Sequence, residues 1–402
     1  MMKKKIIGFI LAQNEYKSFV NQNKLLINAL SKQFDKVYIF NLVRLRFHVK
    51  NKKVINQEKF PDNYILNTPN NSSEFIDFFK DKEMIAIQYL SKTPNFFKIF
   101  YLIKKVNIKN IMIMNLGNFG NKQSIELQNI KFFKAFKYFY RKGFYYPFRL
   151  LTIFNIFPKI EILFESNNDI IENIKNGFSR KVENLFPLFK ISYFRKVVRV
   201  NSVAYDHLLQ NKLTLEKNGK KILYVDTPLN HPDRNEREGK LNDFDVNNFY
   251  VKLTNFLEKM SKTFDRKILI CPHPSNKKEL KYFQNFEISK KSTIDEIPTS
   301  DIIIFTLSSA ILPSIIYKKK IINLESQYLG KYLNNFRIKY CNSLNLFSIN
   351  IDNNVEIKKE YFLEKMNNSI QFYDDFIKSK LCSDKNISST SKIIQTLKKD
   401  FF

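Results

Sequence analysis

Polar residues with catalytic potential follow three short apolar runs in the second half of the sequence. In chain order they are Asp226, His231 and Asp233; then His273 and Pro274; then Thr306, Ser308 and Ser309. The apolar runs have the length and composition of buried strands. Because ligands of open α/β sheets bind beyond the carboxyl ends of the strands, the three groups predict a ligand site.

The first group lies in a loop that follows the run Ile222–Val225. Asp226 ends the predicted strand, where a carboxylate is well placed for catalysis, and His231 and Asp233 follow in the loop. An aspartate at such a position can also cap a turn, and loop residues of these types can be ordinary polar groups. We predict a catalytic role for Asp226, His231 and Asp233, with Asp233 as the nearest rival of Asp226.

The second group is a histidine between two prolines, directly after the run Lys267–Cys271. Pro272 and Pro274 restrict the backbone on either side of His273. A rigid, exposed imidazole can contact a phosphate or the oxygen of a leaving group, although a histidine can also stabilise a turn without any ligand. We predict that His273 and Pro274 contact a phosphate.

The third group consists of hydroxyl residues between the predicted strand Asp301–Thr306 and a predicted helix, Ser308–Tyr317. Serine is a favourable N-cap, and the N–H groups and dipole of a helix N-terminus attract anions. Simple capping requires no ligand. Because this group follows His273 in the same α/β segment, we predict that Thr306, Ser308 and Ser309 bind the same phosphate.

The elements that must position these residues alternate between strand-like and helix-like segments. In the first half the predicted helices are Tyr16–Gln33 and Phe96–Lys105. The predicted strands are Ile6–Leu11, Lys36–Leu42, Met84–Tyr89, Asn110–Leu116, Lys159–Phe164 and Val197–Val200. A second series of alternating predicted strands and helices begins at Lys221, and the tail from Val355 onward is predicted to be helical. This alternation predicts parallel sheets covered by helices on both faces.

The length of 402 residues and a hydrophobic content of 44% predict more than one domain. The polar stretch 217–221 marks the boundary. We therefore predict two Rossmann-like α/β domains, residues 1–215 for the acceptor and 216–402 for the donor, with a helical tail that can cross back to the first domain.

The net charge of +29, from 67 basic and 38 acidic residues, predicts an anionic partner. An AT-rich coding sequence, indicated by abundant Lys, Asn, Ile and Phe, is an alternative source of part of the excess. The sequence contains no helix-turn-helix, RNP or zinc-finger signature, so we predict no nucleic-acid partner.

The cellular compartment is suggested by the cysteines and by the apolar runs. Cys271, Cys341 and Cys382 form no CxxC pair, which is typical of a reduced cytoplasm. No run reaches the roughly 18–20 apolar residues that a membrane span needs. The short run Ile6–Ala12 is interpreted as a strand rather than a signal peptide. We predict a cytoplasmic protein, soluble or peripheral on the inner face of the plasma membrane.

Residues 129–157 combine basic and aromatic side chains and contain no acidic residue. The basic members are Lys131, Lys134, Lys137, Arg141, Lys142 and Arg149. A basic helix with an aromatic face can lie on an anionic membrane. A core helix whose lysine stems cover apolar surface would have a similar composition.

The spacing of the three groups resembles that of bacterial surface-polysaccharide glycosyltransferases, and more narrowly of the sialyltransferases and Kdo transferases that use CMP-activated sugars. The matching segment is about residues 197–325. The resemblance implies a GT-B fold, in which two Rossmann-like domains with parallel sheets face each other across a cleft. It also implies that His273, Ser308 and Ser309 hold the phosphate of a CMP-sugar, and that an acidic residue near the cleft does chemistry. By its position Asp226 is our choice for that residue. The acceptor would be an oligosaccharide or a lipid-linked glycan of a capsule or lipooligosaccharide.

The chemistry of a CMP-activated donor leaves several alternatives open. The phosphate is a good leaving group, so the enzyme needs a carboxylate and stabilisation of the departing phosphate. Asp226 would act as a general base with inversion or as a nucleophile with retention. The triplet Asp243-Phe244-Asp245 is interpreted as a helix cap rather than a metal site, so we predict no metal cofactor. The same motifs also occur in enzymes that build teichoic-acid-like polymers from CDP-alcohols, and a non-catalytic capsule assembly protein is a third possibility.

Overall fold

The computed structural model describes residues 4–13, 16–46, 58–90, 94–114, 150–175, 194–211, 221–227, 229, 235, 239–273 and 279–402. The chain divides into two compact units. Unit 1 comprises Met1–Ser202 together with Ser383–Phe402, and unit 2 comprises Val203–Cys382. The C-terminal segment therefore belongs to the first unit, although it follows the second in sequence.

Unit 1 is built on a parallel sheet of seven strands in the order β3-β2-β1-β4-β5-β6-β7. The strands are β1 (Lys4–Leu11), β2 (Val37–Asn41), β3 (Tyr64–Asn67), β4 (Lys82–Gln88), β5 (Lys109–Met114), β6 (Ile160–Glu165) and β7 (Phe194–Arg199). The helices are α1 (Lys17–Gln33), α2 (Ser72–Phe78), α3 (Phe97–Lys105), α4 (Asn168–Lys175) and, from the C-terminal segment, α12 (Ser389–Phe401).

The central strands of unit 1 are apolar on both faces because helices cover both faces of the sheet. On one face α1 and α12 contribute residues such as Leu30 and Ile393 to a core that also contains Phe9. On the other face α2 and α3 pack over Ile10 and its neighbours, with Ile103 fully buried.

One glycine in the central strand is required by close backbone packing. A Cβ atom on Gly8 would lie 2.1 Å from the carbonyl oxygen of Tyr38 on the neighbouring strand. Backbone atoms cannot move aside as a flexible side chain can. Any larger residue at position 8 would therefore push β1 away from β2.

The C-terminal segment is attached to unit 1 through the side chain of Asn201. Its Nδ2 donates to the carbonyl oxygens of Asp384 and Ile387, both at 2.9 Å, and its Oδ1 accepts from the backbone N–H groups of Ser383 and Asp384. Asn201 is only 1% exposed. Since buried polar backbone groups need partners, this amide fixes where the chain re-enters unit 1.

Unit 2 contains a parallel sheet of six strands in the order β10-β9-β8-β11-β12-β13. The strands are β8 (Lys221–Val225), β9 (Lys267–Cys271), β10 (Glu287–Ile288), β11 (Ile302–Phe305), β12 (Lys320–Glu325) and β13 (Phe347–Asn350). The helices are α5 (Val203–Asn211), α6 (Asp243–Phe264), α7 (Thr293–Glu296), α8 (Ile311–Ile316), α9 (Gly330–Leu344), α10 (Lys359–Ile370) and α11 (Tyr373–Phe376).

Helix α6 provides the main packing surface for the sheet of unit 2. Its buried side chains, including Phe249, Leu253 and Leu257, lie against Ile222 and Tyr224 of β8. Asn242 caps the helix by accepting from the backbone N–H of Asp245. The triplet 243–245 thus forms the first turn of the helix, as its sequence suggested, although the capping side chain is the preceding asparagine.

The predicted α/β architecture with a helical C-terminal end is confirmed, and several strands begin and end close to the predicted residues. Strand β9 has the predicted bounds. Strands β3, β10 and β13 were not predicted. In the part of the chain that the structure describes, every helix is too short or too polar to cross a bilayer.

Candidate functional site

Sheet order in unit 2 brings the three predicted groups to one edge. Strand β8 lies between β9 and β11, and Val225 is paired with both Cys271 and Phe305. The residues that follow, Asp226, Pro272 and Thr306, therefore leave the sheet at the same level. Because adjacent strands are about 4.8 Å apart, the ends of β9 and β11 are about 10 Å apart, with the β8 end between them.

Asp226 lies largely inside the unit. It is 2% exposed, and its backbone N–H donates to the carbonyl oxygen of Cys271 at 3.0 Å. Tyr224, two residues earlier on the same face, is fully buried beside Tyr250 of α6. Burial, with the neighbouring charge of Asp226 second, raises the pKa of Tyr224 well above its usual range. The Asp226 side chain is thus directed toward the layer between the sheet and α6.

His273 is half-buried at the end of β9. The residue before the Pro-His pair, Cys271, is buried, and burial raises the pKa of its thiol. Cys271 is therefore a packing residue rather than a reactive thiolate. Three other predicted site residues, His231, Asp233 and Pro274, lie outside the described residues.

The hydroxyl residues of the third group form a turn rather than a helix cap. Helix α8 begins at Ile311 with Ala310 as its N-cap, so the predicted helix start at Ser308 is wrong by three residues. The Ser308 hydroxyl accepts from the backbone N–H of Ala310 at 3.2 Å, and Ser309 is exposed. Since α8 has only six residues, an anion here would be held by hydroxyl and N–H groups of the turn rather than by a helix dipole.

Thr306 is a fully buried residue whose hydroxyl has no hydrogen-bond partner within the described ranges. An unsatisfied buried hydroxyl costs free energy, so such groups are uncommon in folded proteins. Its position at the end of β11, beside the turn that contains Ser308, makes it a candidate for contact with a bound group.

Side chains on both sides fix the backbone of this turn. Thr227 Oγ1 donates to the carbonyl oxygen of Leu307 at 2.6 Å. From the other side Asn323 Nδ2 donates to the carbonyl oxygen of Thr306 at 2.9 Å, while its Oδ1 accepts from Arg337 at 3.0 Å. Because a guanidinium can only donate, Arg337 fixes which end of the amide faces the turn. We refer to Thr227 and Asn323 as the turn clamp.

Unit 1 contains a carboxyl group that the sequence interpretation missed. Glu165 ends β6 and is fully buried. One oxygen accepts from the backbone N–H groups of Ser166 at 2.8 Å and Asn167 at 2.9 Å, whereas Oε2 has no partner of good geometry among the described residues. Burial raises the pKa of Glu165 to about 7, against the opposing effect of these N–H groups and the Ser166 hydroxyl. Glu165 can therefore exchange a proton near neutral pH.

The signal for Glu165 was present in the sequence. The segment Ile160–Glu165 is an apolar run that ends in a carboxylate and is followed by polar residues, the same pattern that singled out Asp226. What the pattern could not reveal is the burial of the carboxyl group, which depends on the elements packed around β6.

Comparisons with known proteins identify the fold. No protein-family model matches the chain, and no curated protein matches it either. Among solved structures, a variant of the wall teichoic acid polymerase TagF is similar, with a TM-score of 0.50 and 15% identity, covering 99% of this chain and 89% of that one. The structure of TcCGT1 in complex with UDP is also similar, with a TM-score of 0.50 and 10% identity, covering 99% and 100% of the two chains.

At these identities the similarity defines the fold and not the reaction. The chain has a two-domain, Rossmann-like α/β fold of the GT-B type, with a helical C-terminal end. The predicted fold class is thereby confirmed. The donor, the acceptor and the roles of individual residues remain to be proposed from the site itself.

Proposed function

We propose that this protein is a glycosyltransferase that moves a sugar of the Kdo or sialic acid type from a CMP-activated donor to a surface polysaccharide or lipooligosaccharide. The observation that carries the proposal is the arrangement in unit 2. Asp226, His273 and the turn with Thr306, Ser308 and Ser309 follow three adjacent parallel strands. Carboxyl ends of neighbouring strands are where α/β sheets bind nucleotides.

The donor phosphate would be held by His273 and by the turn. The ends of β9 and β11 are about 10 Å apart, enough room for one nucleoside phosphate between them. The buried Thr306 hydroxyl, the Ser308 and Ser309 hydroxyls and the imidazole of His273 offer donors to a phosphate. We propose that these groups stabilise the negative charge on the departing CMP.

Two carboxyl groups are candidates for the chemical step. Asp226 is adjacent to the proposed phosphate site but is largely buried. Glu165 of unit 1 is fully buried, and its raised pKa follows from that burial. We propose Asp226 as the carboxylate of the chemical step.

Substitution separates the two carboxyl groups. Asp226→Asn should lose most of the turnover while the donor KM changes little, whereas Glu165→Gln should retain the wild-type rate. A lost rate in Glu165→Gln together with a normal rate in Asp226→Asn would contradict the assignment to Asp226.

A second candidate function is transfer from a CDP-alcohol in the synthesis of a teichoic-acid-like polymer. It is supported by the fold similarity to a wall teichoic acid polymerase. The same His273 and turn hydroxyls would then hold a diphosphate. The proposed chemistry requires no metal ion, and turnover should survive chelation by EDTA.

A donor screen decides between the two candidates. Release of the nucleotide is measured: CMP from CMP-Kdo, CMP-sialic acid and CDP-glycerol, and UDP from UDP-glucose as a control donor. Turnover of a CMP-sugar that is lost in His273→Ala supports the proposal. Turnover of CDP-glycerol alone would replace it with the second candidate, and no turnover of any donor would favour a non-catalytic assembly role.

A further inference from the structure

We propose that an exposed apolar and basic patch on unit 1 binds the surface of an anionic lipid bilayer. The patch consists of Tyr101, Lys98 and Lys105 of α3 together with Phe154 and Ile156 of the turn before β6; we call it the α3 patch. This inference is independent of the donor and of the reaction.

The apolar members of the α3 patch are well exposed. Tyr101 is 51% exposed, Phe154 67% and Ile156 44%. Single exposed apolar residues are common on protein surfaces, but large aromatic and aliphatic side chains grouped beside one another indicate an interaction site.

The exposed side chains are held by an ordered backbone. The N–H groups of Ile156 and Phe157 both donate to the carbonyl oxygen of Leu151, at 2.8 and 3.0 Å, and Asn155 is left-handed with φ 61°. This closure ends the preceding helical turn and directs residues 154 and 156 outward. The turn is therefore a fixed feature, and its exposed apolar residues are not the result of a frayed end.

The two parts of the α3 patch are joined by direct contacts. Lys104 Nζ donates to Asn155 Oδ1 at 2.7 Å, and the rings of Phe97 and Phe100 lie 5.2 and 5.8 Å from that of Phe157. Tyr101 is three residues from Lys104 and hence on the same helical face. Tyr101 therefore lies on the side of α3 that faces the 154–156 turn.

The charge of this region selects an anionic partner. Residues 94–110 contain four lysines, residues 150–160 contain one, and neither segment has an acidic residue. Lys98 and Lys105 are exposed. Helix α2, which packs in the same core as α3, carries Asp77, and this carboxylate is paired with Lys80 at 2.8 Å. Of the four lysines, Lys109 is paired with Glu83 at 2.6 Å.

A lipid surface fits this combination better than a protein partner. A protein interface needs about 800 Å² on each side, more than a few side chains supply. Aromatic and lysine side chains together suit the interface of an anionic bilayer, where the rings enter the headgroup layer and the ammonium groups meet lipid phosphates.

Docking through the α3 patch would leave the other edge of the sheet open. Lys105 precedes β5 and Ile156 precedes β6, so both lie near the amino ends of these parallel strands. Glu165 lies at the carboxyl end of β6, the opposite edge. A lipid-bound unit 1 would thus keep the carboxyl ends of its strands away from the bilayer.

The test is co-sedimentation of the full chain with two kinds of vesicle. One contains phosphatidylcholine alone, and the other contains in addition about 30% of the anionic lipid phosphatidylglycerol. We expect binding to the anionic vesicles. The double variant Phe154→Ser/Ile156→Ser should lower it by about 10-fold or more, from lost apolar insertion. Lys98→Gln/Lys105→Gln should lower it by about 5-fold per lysine. Phe244→Ser removes a residue that is 73% exposed in unit 2 and serves as the matched control.

The outcomes distinguish the occupants of the α3 patch. Loss of vesicle binding in both double variants, with unchanged thermal unfolding and an unaffected Phe244→Ser variant, supports the proposal. Anionic vesicle binding that survives both double variants overturns it. So does a dimer, detected by light scattering, that dissociates in Phe154→Ser/Ile156→Ser while the wild type ignores the vesicles.

Discussion

Replacing the buried carboxyl group of Glu165 with an amide should stabilise the protein at alkaline pH. The ordinary pKa of 4.5 is raised to about 7 in the folded protein, chiefly by burial. Since each tenfold change in the proton equilibrium corresponds to about 1.4 kcal/mol, the ionised side chain destabilises the folded state by about 3 kcal/mol. Glu165→Gln keeps the shape and the acceptor oxygen for the two N–H groups but cannot ionise.

The sign of the effect follows from proton binding. Between pH 4.5 and about 7 the folded state binds more protons at Glu165 than the unfolded state, so the stability of the wild type falls as the pH rises. Below pH 4.5 the group is protonated in both states, and the variant gains nothing. Above about pH 7 the full difference of about 3 kcal/mol should be present.

The assay is urea unfolding of the wild type and the variant at pH 4.5, 6 and 8, followed by far-UV circular dichroism. Glu161→Gln is the matched control, because Glu161 lies on the same strand and pairs at 3.1 Å with Arg195, which is 67% exposed. Loss of such a surface pair changes stability by about 0–1 kcal/mol.

The reasoning is refuted if Glu165→Gln is no more stable than the wild type at pH 8, or if its gain is the same at pH 4.5 and pH 8. The first result would mean that the carboxylate is well solvated or paired in the folded protein. The second would mean that the gain arises from packing rather than from ionisation.

Three further predictions concern the turn clamp and the core of unit 1. Thr227→Val should raise the donor KM about 5-fold with kcat little changed, because it removes the hydrogen bond to the turn. The control Thr254→Val removes a similar hydrogen bond of 2.9 Å within α6 and should leave the donor KM unaltered. Equal effects of the two substitutions would argue against a positioning role for Thr227. Gly8→Ala should lower the free energy of unfolding by about 1–3 kcal/mol in urea titrations, and an unchanged midpoint would contradict the close approach of β1 and β2. Asn201→Ala should accelerate hydrogen exchange throughout α12, and unaltered protection there would exclude its role in holding the C-terminal segment.

Strands with both ends marked by local sequence could be predicted well. Lys267–Cys271 is an apolar run between a lysine and a proline, and β9 has these bounds. Strands β3, β10 and β13 were missed because they are short, and β3 exposes Ile65 and Leu66 at the edge of its sheet. Short edge strands lack the continuous apolar run that a central strand shows.

The candidate site could be predicted only as far as strand ends reveal it. The positions of Asp226, His273 and Thr306 follow from local pattern. Their adjacency depends on the order β9-β8-β11, which no local pattern contains. The side-chain direction of Asp226 likewise depends on its packing against α6, and the altered pKa of Glu165 is a consequence of tertiary burial.

We propose that the carboxyl edge of the sheet in unit 2 binds a cytidine nucleotide. Isothermal titration of the full chain with CMP measures this binding, with UMP as the competing nucleotide. We expect CMP binding that is weakened about 10-fold or more in His273→Ala, as expected for loss of a bond to a charged phosphate, and unaltered in Glu165→Gln. Absence of CMP binding, or binding that His273→Ala leaves unchanged, would contradict it.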